Sequence, residues 1–276
     1  MRRDGRRGPA FWLLGGFFVL FVLFLYGPLS TIVLLSFQGP DGGLTFPMNG
    51  VSLNWFRNLF EKQAVGDFGG SFLRSLILGV MVMATTVAVS LLAGLAFRRR
   101  FRGATFLFYL AVASLIVPSI LVSLGVGLGF QIAGVPPAWY SSAFGAQLTW
   151  TLPFGLLIMF AVFNRFNRSY EEAARDLGAS SWQTFSNVVL PIILPSLIGV
   201  GLFGFTLSYD EFARTLMTAG TFNTLPLEIY GMTTNVTTPV LYALGTLTTL
   251  FSFLIILGVL ATILVLRARR ARRTAG

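Results

Sequence analysis

The side chains in this sequence with the most chemical potential are an acidic pair, Asp210 and Glu211, in the stretch Leu207-Ser-Tyr-Asp-Glu-Phe-Ala-Arg214. They follow directly on an apolar run. A charge at membrane mid-depth costs about 2.5 to 3.5 kcal/mol, so the pair needs a counter-charge, water or a function. Arg214 stands four residues after Asp210 and three after Glu211, on one face if the stretch is helical, where it can neutralise one of them. The other acid then remains uncompensated. With the rings of Tyr209 and Tyr230, the two carboxylates can offer a di- or polycation both charge and π-faces. They can equally serve a gate or the packing of the span. Other chemistry is excluded by composition. The chain has no histidine and no cysteine, which removes the commonest general base, thiolate nucleophiles, imidazole and thiolate metal ligands, and disulfides.

The second constellation lies in the polar stretch from Arg165 to Pro191. Ser169 with Glu172 three residues later has the spacing of a capping box, and Gly178 suits a left-handed helix stop, so Tyr170–Leu177 is predicted as a helix of about two turns. Ser180 and Gln183 repeat the capping pattern for a second short helix carrying Trp182 and Phe185, predicted to end where Pro191 interrupts it. The small pair Ala173-Ala174 beside Glu171 and Glu172 allows close approach of another backbone and contact with basic groups. An amphipathic connector lying at the lipid interface fits the same pattern.

These segments are positioned by elements written in lipid-soluble residues. Of 276 residues, 55% are hydrophobic and 11% charged, with mean hydropathy +0.77, values a water-soluble domain rarely reaches. Apolar runs lie at Phe11–Phe37, Phe72–Phe97, Thr105–Phe130, Phe144–Phe163, Leu190–Ser208 and Leu241–Leu266. Each is long enough to cross about 30 Å of hydrocarbon. The expected architecture is an all-α membrane protein with six transmembrane helices, forming one domain over 1–276 with a polar loop at 164–191 between helices 4 and 5. The first run is too long for a signal-peptide core.

The net charge of +10 is topological, with no sign of nucleic-acid binding, because the arginine clusters flank the apolar runs. Arg2, Arg3, Arg6, Arg7, Arg98, Arg99, Arg100, Arg102, Arg165, Arg168, Arg175 and the C-terminal Arg267, Arg269, Arg270, Arg272 and Arg273 fall on one side, leaving Arg57, Lys62, Arg74 and Arg214 on the other. The positive-inside rule then places both termini and the 164–191 loop in the cytosol. The segment Gln38–Gly70, with its Trp55-Phe56 pair, is expected to lie along the outer surface as an interfacial aromatic anchor or an external contact. Gly125-Val-Gly-Leu-Gly129 lies inside an apolar span with no strand before it, so helix packing explains it better than dinucleotide binding. Pro118 and Pro153 are expected to mark kinks or packing adjustments in their helices.

Glu172-Ala173-Ala174, three residues, Gly178, nine residues and Val188-Val-Leu-Pro191 resemble the EAA loop of binding-protein-dependent ABC importer permeases, with Val188 where isoleucine is usual. The resemblance implies a type I ABC importer permease fold in the bacterial cytoplasmic (inner) membrane. It further implies an ATPase-coupling helix carrying Glu171, Glu172, Ala173, Ala174, Asp176, Leu177 and Gly178. This chain would then be a non-catalytic subunit with no cofactor of its own, and ATP and Mg would be bound by the partner ATPase. That agrees with the absence of a phosphate loop, since the only lysine, Lys62, sits in Glu-Lys-Gln. The implied partners are two ATPase subunits, a second, paralogous permease subunit, an external solute-binding protein and membrane lipid. The stretch around Tyr209, Asp210 and Glu211, continuing to Leu225-Pro-Leu-Glu-Ile-Tyr230, is similar to the polyamine (spermidine/putrescine) permeases, which implies import of polyamines or related amino compounds. Another small solute (an amino acid derivative, an anion or a metal chelate) is the alternative, and a secondary carrier driven by an ion gradient is a third class. A carrier would place ionisable residues at mid-membrane, which the first four runs scarcely contain.

Overall fold

A computed structural model describes residues 8–61, 66–99, 101–235 and 239–274. The regular elements among them are helices, with one isolated bridge between Gln38 and Val51. Arg2, Arg3, Arg6, Arg7, Lys62 and Arg100 lie outside the described residues. The chain divides into two compact units, Asp67–Tyr230 and the flanking Met1–Gly66 with Gly231–Gly276.

The flanking unit holds α1 (Pro9–Leu35), α2 (Asn54–Asn58) and α11 (Val240–Thr274). Pro9 opens α1 at a position where its missing N–H is no loss. Between α1 and α2 the chain folds around buried Gln38, whose amide nitrogen donates to the Gly43 carbonyl at 3.2 Å and whose oxygen accepts from the Asn49 N–H at 2.8 Å. Tyr242 on α11 donates to the Leu44 carbonyl at 2.7 Å. Trp55 is buried and Phe56 packs 5.3 Å from Phe37. The Trp55-Phe56 pair expected to lie along the surface thus turns Trp55 inward.

The central unit is built on three long helices, α3 (Phe68–Phe97), α6 (Phe144–Arg165) and α9 (Leu190–Tyr209), which pack pairwise. On α3 a row of small residues, Ser71, Ser75, Gly79, Thr86, Ser90 and Gly94, is buried at spacings near one helical turn. Small side chains let apolar helices approach closely where hydrophobic exclusion gives no drive. A Cβ at Gly155 of α6 would lie 2.1 Å from the Ser90 hydroxyl, and one at Gly79 would lie 2.9 Å from the Phe205 ring. Across the same contact Thr86 donates to Thr151 at 3.0 Å. Near the loop end, Met159, Phe163, Val189, Ile193, Leu197 and Val200 form an apolar core.

Asp67 caps α3 by accepting from the Gly70 N–H at 3.0 Å and pairs with Arg74 at 3.2 Å. Arg74 also donates to the Asn223 carbonyl at 2.7 Å, and Glu228 bridges the Asp67 N–H and the Asn223 amide. These contacts tie the 222–228 segment to the start of α3.

Five of the described helices are long and apolar enough to cross a membrane: Pro9–Leu35, Phe68–Phe97, Trp139–Arg165, Ser181–Tyr209 and Val240–Gly258. The run Thr105–Phe130, expected as one helix, is two, α4 (Ala104–Ala113) and α5 (Ser119–Ile132). Pro118 is extended and stands directly before α5, so the expected kink is a full break. Pro191 has the opposite outcome. It lacks the N–H that would bond the Asn187 carbonyl, and the five-residue π segment Phe185–Val189 just before it takes up the mismatch, so the helix begun at Ser181 runs on through α9.

Candidate functional site

In the 164–191 loop, α7 covers Ser169–Asp176. Ser169 is the first helical residue, so it does not cap as its spacing with Glu172 suggested. Arg168 stands at the cap position without a side-chain cap bond, and Asn167 before it accepts from the Ser169 N–H at 3.0 Å. The far end closes as expected. Gly178 adopts φ +85°, and its N–H bonds the Arg175 carbonyl at 2.8 Å while that of Ala179 reaches the Ala174 carbonyl at 3.0 Å, the paired bonds of a Schellman stop. The short helix α8 (Ser181–Thr184) starts from the predicted capping box, with Gln183 and Ser180 bonded reciprocally.

The two adjacent glutamates diverge because successive helical residues point about 100° apart. Glu171 turns toward the helices and meets Arg98 in a two-point ion pair at 2.7 and 2.9 Å. Arg98 lies over the rings of Phe163 and Phe166 at 5.1 and 5.3 Å, and its carbonyl accepts from Arg168 at 3.1 Å. This guanidinium holds the Glu171 carboxyl below its ordinary value of 4.5. Glu172, Ala173, Asp176, Leu177 and Gly178 are exposed, and Ala174 is half-buried. Leu177 and Trp182 are 90% and 72% exposed, an apolar display on a polar loop that nothing among the described residues covers. Arg98 and Trp182 are the two residues that sequence reasoning undervalued here. Arg98 counted only as a topological charge, since its contact with Glu171 spans 73 positions.

At the other candidate site, Tyr209 ends α9 and Asp210 follows as its C-cap. Tyr209 is buried, stacked on Phe205 at 5.9 Å and edge-on to Phe72 at 6.4 Å. Asp210 is exposed, while Glu211 is buried with its carboxylate accepting from the Arg214 backbone N–H at 2.7 Å. The segment is a series of turns, so Arg214 does not return along a helical face to an acid. Its guanidinium, 2% exposed, donates to Ser119 at 2.6 Å and to Thr149 at 3.2 Å, and lies 4.6 Å from the Trp150 ring. Arg214 forms no direct ion pair with Asp210 or Glu211; hydroxyl and π contacts to the start of α5 and to α6 hold it, from where its charge still acts on Glu211.

Neighbouring contacts clamp the same segment. Gln147 and Ser208 hydrogen-bond side chain to side chain, Ser142 donates to the Thr218 carbonyl at 2.7 Å, and the Met217 N–H donates to Ser123 at 2.9 Å. A Cβ at Gly127 would lie 2.6 Å from the Met217 carbonyl, so one glycine of the Gly125–Gly129 run is a packing contact. Tyr230 is exposed and packs 5.0 Å from Phe212. Of the four residues assigned to a cation path, Tyr209 and Glu211 are thus buried and Asp210 and Tyr230 open.

Among the described residues, no group of three or more acidic side chains is placed to hold a metal ion. Comparison with known proteins agrees with the membrane architecture. Residues 86–271 match the model of the family described as binding-protein-dependent transport system inner membrane component. The spermidine/putrescine transport system permease protein PotC of Haemophilus influenzae is 28% identical over 259 residues, covering 91% of this chain and 97% of that protein. The putrescine transport system permease protein PotI of Escherichia coli K12 is 28% identical over 259 residues, covering 90% and 89%. A crystal structure of a bacterial ABC transporter involved in import of the acidic polysaccharide alginate superposes with a TM-score of 0.70 at 14% identity, over 95% of this chain and 99% of that one. The chain belongs to the binding-protein-dependent transport system inner membrane components, as a multi-pass permease subunit of an ABC importer.

Proposed function

We propose that this permease forms the translocation path for polyamines or related amino compounds, in an importer driven by a separate ATPase. The observation that carries the substrate class is the acidic pair closing α9. Glu211 is buried yet engaged by a backbone N–H, with no guanidinium partner within ion-pair distance among the described residues, and Asp210 is open beside it. A polycation leaving water needs carboxylates that are not tied up in ion pairs and nearby aromatic faces, which Tyr209 and Tyr230 supply. The PotC and PotI relatives support the same class.

On this reading α4 and α5 together make the sixth crossing, and both termini and the 164–191 loop face the cytosol. Helix α7 through Gly178 docks on the ATPase, which binds ATP and Mg. Glu172, Ala173 and Leu177 touch that partner while Glu171 anchors the helix to Arg98. The complete assembly has two ATPases, a second, paralogous permease and an external binding protein.

The test uses the assembled importer in vesicles with labelled putrescine and spermidine. Asp210→Asn and Glu211→Gln should each lower uptake at least about tenfold, with the ATPase still attached. Normal uptake in both variants refutes the pathway.

A further inference from the structure

Bordered by α7, α8 and the end of α3 lies a cleft of about 840 Å3, whose lining includes neither Ala173 nor Leu177. Its lining combines basic side chains, Arg98, Arg99, Arg168 and Arg175, with apolar wall residues that include Phe101, Phe185 and Val189. Arg98 is committed to Glu171. Among the described residues, Arg99, Arg168 and Arg175 have no carboxylate within ion-pair distance, and Glu172 is the other acid on the lining. The cleft therefore keeps an excess of two positive charges. The apolar wall is continuous with a membrane span, because Phe185 and Val189 belong to the helix that runs on into α9.

We propose that this cleft binds the phosphate group of an anionic phospholipid of the inner leaflet, the arginines taking the phosphate and the apolar wall the glycerol and upper acyl carbons. It rests on the cytosolic placement of the loop given above. Basic pockets between helix ends on the cytoplasmic side suit such headgroups, and guanidinium forks match phosphate oxygens. A free phosphate would leave the apolar wall unused. An acidic surface of the ATPase would be expected to meet the contact face of α7, of which only Glu172 lines the cleft while Ala173 and Leu177 do not. A lipid seated here would brace α7 against α3 through the arginines that flank the Arg98–Glu171 pair.

The test titrates the full-length permease in detergent with phosphatidylglycerol, phosphatidylcholine or inorganic phosphate and reads retained adducts by native mass spectrometry. Phosphatidylglycerol should be retained at roughly tenfold lower concentration than phosphatidylcholine. That preference should shrink to within about twofold in Arg99→Gln/Arg175→Gln, fall partway in Arg99→Gln alone, and survive in Arg165→Gln, which lies outside the cleft. The single variant, at an exposed position, separates lost binding from a folding defect. Equal retention of the two lipids by the wild type, or an unchanged preference in both Arg99 variants, overturns the proposal. Phosphate adducts without lipid preference overturn it in favour of a free-anion site. Displacement of phosphatidylglycerol when the ATPase assembles overturns it in favour of a protein interface. The lipid titration itself needs neither transport nor ATPase, which enters only in the displacement arm, so failure of the titration leaves the coupling role standing, and failure of ATPase docking leaves the lipid preference intact.

Discussion

The loop at 164–191 and the segment from Ser208 to Thr218 both carry charged side chains, and they satisfy them by different means. In the loop, Glu171 finds an opposite charge, Arg98, in a two-point pair, while Glu172 and Asp176 face outward. In the segment, Arg214 is fully buried and held by two hydroxyls and an indole face, and Glu211 by a backbone N–H. The proposed docking of another protein on the loop asks for charges and apolar side chains that stay available. A seam between helices holds its buried charged groups with neighbouring hydroxyls, rings and backbone, because there they have little water to turn to.

That contrast ranks the expected effects of substitution. The largest is Arg214→Ala, which leaves Ser119 and Thr149 without their donor and opens a cavity beside Trp150. It should destabilise the protein by about 3 kcal/mol or more in detergent unfolding. A cost below about 1 kcal/mol would show the seam to be water-filled and tolerant. Next is Gln147→Leu, which strands Ser208 and should cost about 1 to 2 kcal/mol by the same measurement. Gly178→Ala forces a side chain into the left-handed region at φ +85° and should cost about 1 kcal/mol, read as lost protection of the 174–179 amides in hydrogen exchange. The smallest is Glu171→Gln, worth about 1 kcal/mol, because the amide oxygen can still accept from Arg98 in this partly buried pair.

The Glu171 effect has a pH signature. Its carboxyl is held below the ordinary value of 4.5 by Arg98, so the stabilisation is present above that value and is lost as pH falls through the depressed one. The difference in Tm between wild type and Glu171→Gln should therefore be constant near neutrality and vanish in acid below pH 4.5. A gap that persists at the acid end, or closes between pH 6 and 7, would remove the ion pair from the account.

Much of this was legible in the sequence where the signal is local. The apolar runs, Gly178 as a helix stop and the Ser180–Gln183 box depend on residues within a few positions of one another. The errors came where distant contacts or backbone detail decide. Thr105–Phe130 reads as one span by hydropathy, but Pro118 splits it, whereas Pro191 looks like a breaker and is absorbed by the π segment at Phe185–Val189. Ser169 has a cap's spacing, yet Asn167 two residues earlier bonds its N–H. Arg214 sits at helical distance from Asp210, and a turn in place of a helix sends it to Ser119 and Thr149, 95 and 65 positions away.

The central claim is that the exposed face of α7 is where an ATPase subunit docks. The chain contains no cysteine, so Leu177→Cys gives a single thiol on that face, and Val135→Cys gives one before the start of α6, at the other end of that helix. Each is tagged with a short thiol-reactive photo-cross-linker in the assembled importer. The account predicts a cross-link to the ATPase from position 177 and none from 135. An ATPase that co-purifies yet cross-links from 135 and not from 177 would contradict it.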